Sequence, residues 1–106
     1  MSNEIEQIAI RIINRNFELG DQNPEGLPLK KIREMLIERI DFLLDHDFGK
    51  LISILYRVDV DETRAKSALS SSDKKPSEVL TDLIIARQME KAVTRGSHTP
   101  PEGDLW

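Results

Sequence analysis

Two short acidic clusters, Asp45-His46-Asp47 and Asp59-Val60-Asp61-Glu62, carry the residue types best suited to chemistry in this 106-residue chain. Imidazoles and carboxylates are common metal ligands. Consecutive residues at a helix end point in different directions, so Asp45, His46 and Asp47 cannot converge on one ion by themselves. If a helix of ten or so residues separates the clusters, it holds them about 15 Å apart. The expectation is therefore a helix end and a cap, with no metal site and no cofactor. Cysteine is absent, which removes thiolate zinc sites and disulfides together. His98 has no ligand-type neighbours.

The second cluster continues into Thr63, and Asp59, Asp61 and Thr63 resemble the D-x-D-x-T signature of haloacid-dehalogenase-type phosphatases. That resemblance implies Asp59 as nucleophile and Asp61 as general acid/base in a metal-dependent phosphoryl transfer, both just beyond a buried parallel strand. The residues before it read otherwise. Leu51, Ile54, Leu55 and Val58 follow the i, i+3, i+4, i+7 spacing of a helix. About 45 residues follow the motif, too few for the rest of a doubly wound sheet whose βαβ units take roughly 30 each. The later metal-binding acidic motif is missing too, since the one late Gly-Asp, Gly103-Asp104, sits in the terminal stretch. A capping reading explains every residue: Asp59 as N-cap, Glu62 completing a capping box, Asp61 adding charge at the positive end of the dipole. Asp59 is expected to start a helix, and no catalytic residue is assigned.

Lys30, Lys31 and Arg33 crowd the start of the second helix while Asp41 and Asp45 sit towards its end. That order opposes the macrodipole, which disfavours exposed cations at a helix start by roughly 0.3–1 kcal/mol each. The three cations are thus candidate anion-binding residues. With Lys74 and Lys75 they would also be the residues of a nucleic-acid-associated regulator. A net charge of −4 argues against a dedicated nucleic-acid binder. One tryptophan, one tyrosine and three phenylalanines leave few stacking platforms.

The elements needed to position these residues are helical. Asn3 stands three residues before Glu6, a capping-box-like start, and Ile5, Ile8, Ala9, Ile12 and Ile13 follow at helical spacing before a stop at Leu19-Gly20. Gly20 to Leu27 is a loop by composition. Pro28 suits the first position of a second helix to about His46, with Leu29, Ile32, Leu36, Ile40, Leu43 and Leu44 as its stripe. Asp47 can cap a short third helix, a fourth runs from about Val60 to Leu69, and Pro76 opens a long fifth to about Arg95. The expected fold is all-α: one helical domain over residues 1–95 with three longer and two short helices, then an irregular tail over 96–106. The start, MSNEIEQIAIRII, lacks a basic n-region and does not read as a secretory signal. No apolar run reaches membrane-spanning length, so a cytoplasmic location is expected.

Asp45 to Glu62 (DHDFGKLISILYRVDVDE), with DLIIARQMEK later, resembles an uncharacterised family of short bacterial all-helical proteins. The resemblance implies the helical fold and brings no activity, ligand or catalytic residue.

Two surfaces read as too apolar for a monomer. Met35 and Phe42 lie off the main stripe of the second helix, and the fifth is apolar almost all round, with Leu80, Leu83 and Ile84 opposite Ile85, Met89, Ala92 and Val93. Met35, Phe42, Ile85, Met89 and Val93 are accordingly the expected interface residues. The leading expectation is a non-enzymatic helical interaction or regulatory protein that forms a homodimer and meets an unknown protein partner. In one such dimer the second helices pair antiparallel, so that Lys30, Lys31 and Arg33 face Asp41 and Asp45 across the axis.

Overall fold

The computed structural model describes residues 4–20, 26–70 and 73–97, with side chains described as far as Thr94. The Asn3 cap, most of the loop after Gly20, and residues 98–106 of the expected tail lie outside the described residues. The described residues form five helices: α1 (Glu4–Phe17), α2 (Leu29–His46), α3 (Phe48–Arg57), α4 (Glu62–Ser70) and α5 (Pro76–Ser97). No strand occurs among the described residues, so the all-α expectation holds. The last helix continues two residues past the expected boundary at Arg95.

α1 buries Ala9, Ile10, Ile13 and Phe17, while Ile5, Ile8 and Ile12 stay half-buried. Its core face is thus rotated from the expected stripe towards Ile10 and Phe17. The helix stops because Glu18 turns left-handed (φ 55°) and Leu19 N–H donates back to Asn14 C=O at 3.2 Å. This is a Schellman end with an acid where glycine is usual. Glu18 has ionic partners for that strained position: Lys50 Nζ at 3.0 Å and Arg39 Nη2 at 3.3 Å.

Pro28 sits one residue earlier than expected, as the extended N-cap of α2 (φ −68°, ψ 153°), and its carbonyl accepts from the N–H groups of Lys31 and Ile32. Ile32, Leu36, Ile40 and Leu43 are buried, with Leu29 and Leu44 packed beside them. Asp47 caps α3 as expected, accepting from Lys50 N–H at 3.2 Å. Behind it Leu51, Ile54, Leu55 and Val58 are buried.

α5 is the central helix. It packs most extensively on α1, then on α2 and α4. Arg33 meets Asp82 and Asp41 meets Lys75, so α2 and α5 run in opposite directions. Leu80, Ile84 and Ala92 are buried, together with the polar Ser77, Thr81 and Gln88. A helix with neighbours on several sides must be apolar on several sides, which accounts for the pattern of α5 within a single chain.

Candidate functional site

The corner between α3 and α4 is built from two segments about thirty residues apart in the sequence. Val60 N–H donates to Leu55 C=O and Asp59 N–H to Tyr56 C=O, each at 3.1 Å, and Asp59 is left-handed (φ 64°). These two bonds form a second Schellman motif, again with an acid in the glycine position. α5 then supplies side chains to the carbonyls of Val58 and Asp59. Gln88 Nε2 donates to Val58 C=O at 2.8 Å, and Lys91 Nζ reaches the same oxygen at 3.4 Å. Arg87 donates through Nε to Asp59 C=O at 3.1 Å and through Nη2 to its carboxylate at 2.7 Å, while Nη1 reaches Glu90.

Asp59 is therefore not an N-cap, which corrects the sequence expectation. Asp61 caps α4 instead: its Oδ2 accepts from Arg64 N–H at 2.9 Å and its carbonyl accepts from Ala65 N–H at 3.0 Å. The helix begins at Glu62. Hydrogen bonding from Arg87 holds the Asp59 carboxyl below its ordinary value, with the charges of Arg87 and Lys91 adding to it against a smaller opposing effect of burial. Residues 51 to 57 are helical, so the buried strand that the D-x-D-x-T resemblance requires is not there. Asp59 and Asp61 do line one open cleft, of about 560 Å³, with Arg64, Arg87 and Glu90. The Asp59 carboxylate is held by the Arg87 guanidinium and that of Asp61 by the Arg64 backbone N–H, rather than the two converging on a point in that cleft.

The other clusters are likewise dispersed. Asp45, His46 and Asp47 are exposed, the His46 ring lies 4.6 Å from that of Phe42, and Asp47 is occupied as a cap. Among the described residues no group of three or more histidines or carboxylates comes together to hold a metal ion. Of the expected anion-binding cations, Lys30 and Lys31 are exposed on the first turn of α2, but Arg33 is held bidentate by Asp82 at 2.9 and 3.2 Å. Lys74 is brought beside Arg33 in one shallow cleft, together with Glu78 and Asp82. Lys75 is bound to Asp41 at 3.0 Å. For Arg33 and Asp41, the charge order of α2 that opposes its own dipole is answered inside the chain, on α5 and the turn before it, while Lys30 and Lys31 stay exposed. In the expected antiparallel dimer, Arg33 and Asp41 would first have to leave these partners.

Among the expected interface residues, Met35 and Ile85 pack half-buried against the core and Met89 is also half-buried. Val93 and Phe42 are about half exposed, and the Arg39 guanidinium lies 5.5 Å from the centre of the Phe42 ring.

A different face also carries exposed apolar side chains. Phe48, Ile52 and Tyr56 follow one another at i, i+4, i+8 along the outer side of α3, with Phe48 47% and Tyr56 69% exposed. Beside them runs a groove between α3 and α4, of about 130 Å³, whose apolar walls are Ile52, Leu55, Tyr56, Val60, Ala65 and Leu69. Sequence reasoning missed it because it accounted for α3 by a single stripe. The i, i+4, i+8 spacing of a second stripe was present and went unused. Among the described residues, no helix is long and apolar enough to cross a membrane. No family model, no curated protein and no solved structure matches this chain.

Proposed function

We propose that this chain is a non-enzymatic helical docking protein of the cytoplasm whose working face is the outer side of α3 with the α3–α4 groove. The observation that carries this reading is the exposure of Phe48 and Tyr56 on either side of the half-buried Ile52, next to an apolar groove. Aromatic side chains bury roughly 150–250 Å² each. Covering the open parts of these two rings would remove roughly 200 Å² of apolar surface, worth about 5 kcal/mol at 25 cal/mol per Å². Association itself costs about 4–15 kcal/mol. The two rings alone therefore do not secure a partner, and the groove has to be filled as well. Helix-in-groove docking is the recognition mode that such a surface fits.

A photo-crosslinking residue in place of Tyr56, in cells that make the protein, should give discrete covalent adducts. The same residue in place of the exposed Glu38 on α2 should give none. Absence of any adduct at position 56, or equal labelling at both positions, would overturn the docking reading.

A further inference from the structure

We infer that the α3–α4 groove is occupied by a second copy of this chain, related by a two-fold axis that sets the Glu62–Lys66 turn of one α4 against the same turn of the other. This rests on the docking reading above and adds the identity of the partner.

Two charged residues line the groove, Glu62 and Lys66, one turn apart and joined within the chain at 3.2 Å. A rim with one acid and one base offers nothing to a nucleic acid or an anionic membrane surface. A two-fold axis demands that a surface be its own complement. Antiparallel apposition of two α4 helices meets that demand, because Glu62 of each copy then stands opposite Lys66 of the other. The apolar part serves both sides as well: each copy presents an exposed Tyr56 and a groove that Tyr56 itself lines. One rotation offers each Tyr56 to the groove of the other copy.

The size of the face sets the strength. α3 spans about 15 Å at 1.5 Å per residue, and two packed helices are roughly 20 Å across. That footprint is smaller than the roughly 800 Å² per partner of a standard stable interface. The dimer accordingly belongs with the weak, transient interfaces.

Sedimentation of the purified full chain, across concentrations on either side of about 10 µM, should show a monomer–dimer equilibrium. Glu62→Lys leaves two bases on the rim and Lys66→Glu leaves two acids. Each variant alone should dimerise about fivefold or more weakly than the parent, since two facing pairs turn repulsive. Mixing the two variants should restore the parent affinity through a heterodimer. Both substitutions fall on exposed positions of α4, and an unchanged thermal midpoint verifies that each variant is folded. A chain that stays monomeric throughout overturns the inference. So does a dimer that ignores both reversals, which would have its interface elsewhere. Crosslinking at position 56 separates the two levels of the proposal. An adduct of twice the chain mass supports the second copy. An adduct of another mass, or one formed within a single chain, overturns it; the former leaves the docking reading standing.

Discussion

Arg87 holds Asp59 by both its backbone and its side chain, with Nε 3.1 Å from the carbonyl and Nη2 2.7 Å from the carboxylate. Asp59 is left-handed at φ 64°, a conformation that costs an L-residue roughly 1–2 kcal/mol. Aspartate is among the side chains that tolerate it best. Asp59→Gly should thus be close to neutral, since relief of strain offsets loss of the ion pair. Asp59→Ala and Asp59→Ser should both be less stable than Asp59→Gly by about 1 kcal/mol. Denaturation midpoints decide the order. A serine variant as stable as the parent would return Asp59 to the role of N-cap.

The cap belongs to Asp61, whose carboxylate accepts from Arg64 N–H at 2.9 Å. Asp61→Ala should cost about 0.5–2 kcal/mol, and Asp61→Ser should recover most of that. Urea unfolding with an unchanged slope would isolate the effect to stability. An alanine variant indistinguishable from the parent would remove the cap assignment.

Which aspartate caps α4 depends on where α3 ends, and that end is fixed by Gln88 and Arg87, about thirty residues further along the chain. Local sequence pointed to Asp59, with Glu62 three residues on, and gave Asp61 only a place near the positive end of the dipole. By contrast Asp47 was legible, because the cap and the buried stripe behind it are all within α3. The charge order of α2 was legible as an oddity, yet its partners Asp82 and Lys75 are set by tertiary packing against α5. Periodicity likewise marked α5 as apolar on several sides without saying that α1, α2 and α4 would cover them.

The position of α5 gives a third test. Ile84 is fully buried and Val93 is 48% exposed on the same helix. Ile84→Ala should cost about 2–5 kcal/mol, and Val93→Ala about 1 kcal/mol or less. Thermal or chemical unfolding checks both. Comparable losses at the two sites would mean that Val93 is covered in solution, as the fifth-helix interface expected from sequence would have it.

Acid should unfold this protein through specific carboxylates. Hydrogen bonding from Lys50 lowers the pKa of Glu18, and hydrogen bonding from Arg87 lowers that of Asp59. Burial raises the Asp41 pKa, but the Ser77 hydroxyl and Lys75 together outweigh it, although Ser77 Oγ lacks a well-formed hydrogen bond. A folded value below the unfolded one means that the unfolded chain binds more protons in between. The stability from these groups is complete above the ordinary carboxylate range, near pH 4, and is lost as pH falls through the lowered values. Glu18→Gln with Asp59→Asn should flatten the acid limb of stability against pH while leaving the slope near neutrality unchanged. An acid limb as steep as the parent's would exclude these two groups as its source.

Tyr56, the single tyrosine of the chain, stands 69% exposed at the edge of the α3–α4 groove. Fluorotyrosine incorporated throughout the protein therefore reports from this one position. Its fluorine resonance, followed in the purified full chain from dilution to high concentration, should shift and broaden as the ring passes from water into a second copy's groove. The Glu62→Lys variant should need about fivefold or more higher concentration for the same shift, until its partner variant, Lys66→Glu, is added. A fluorine signal that stays at its solvent-exposed position at every concentration, and also in an extract of the cells that make the protein, would contradict the claim that this face docks anything.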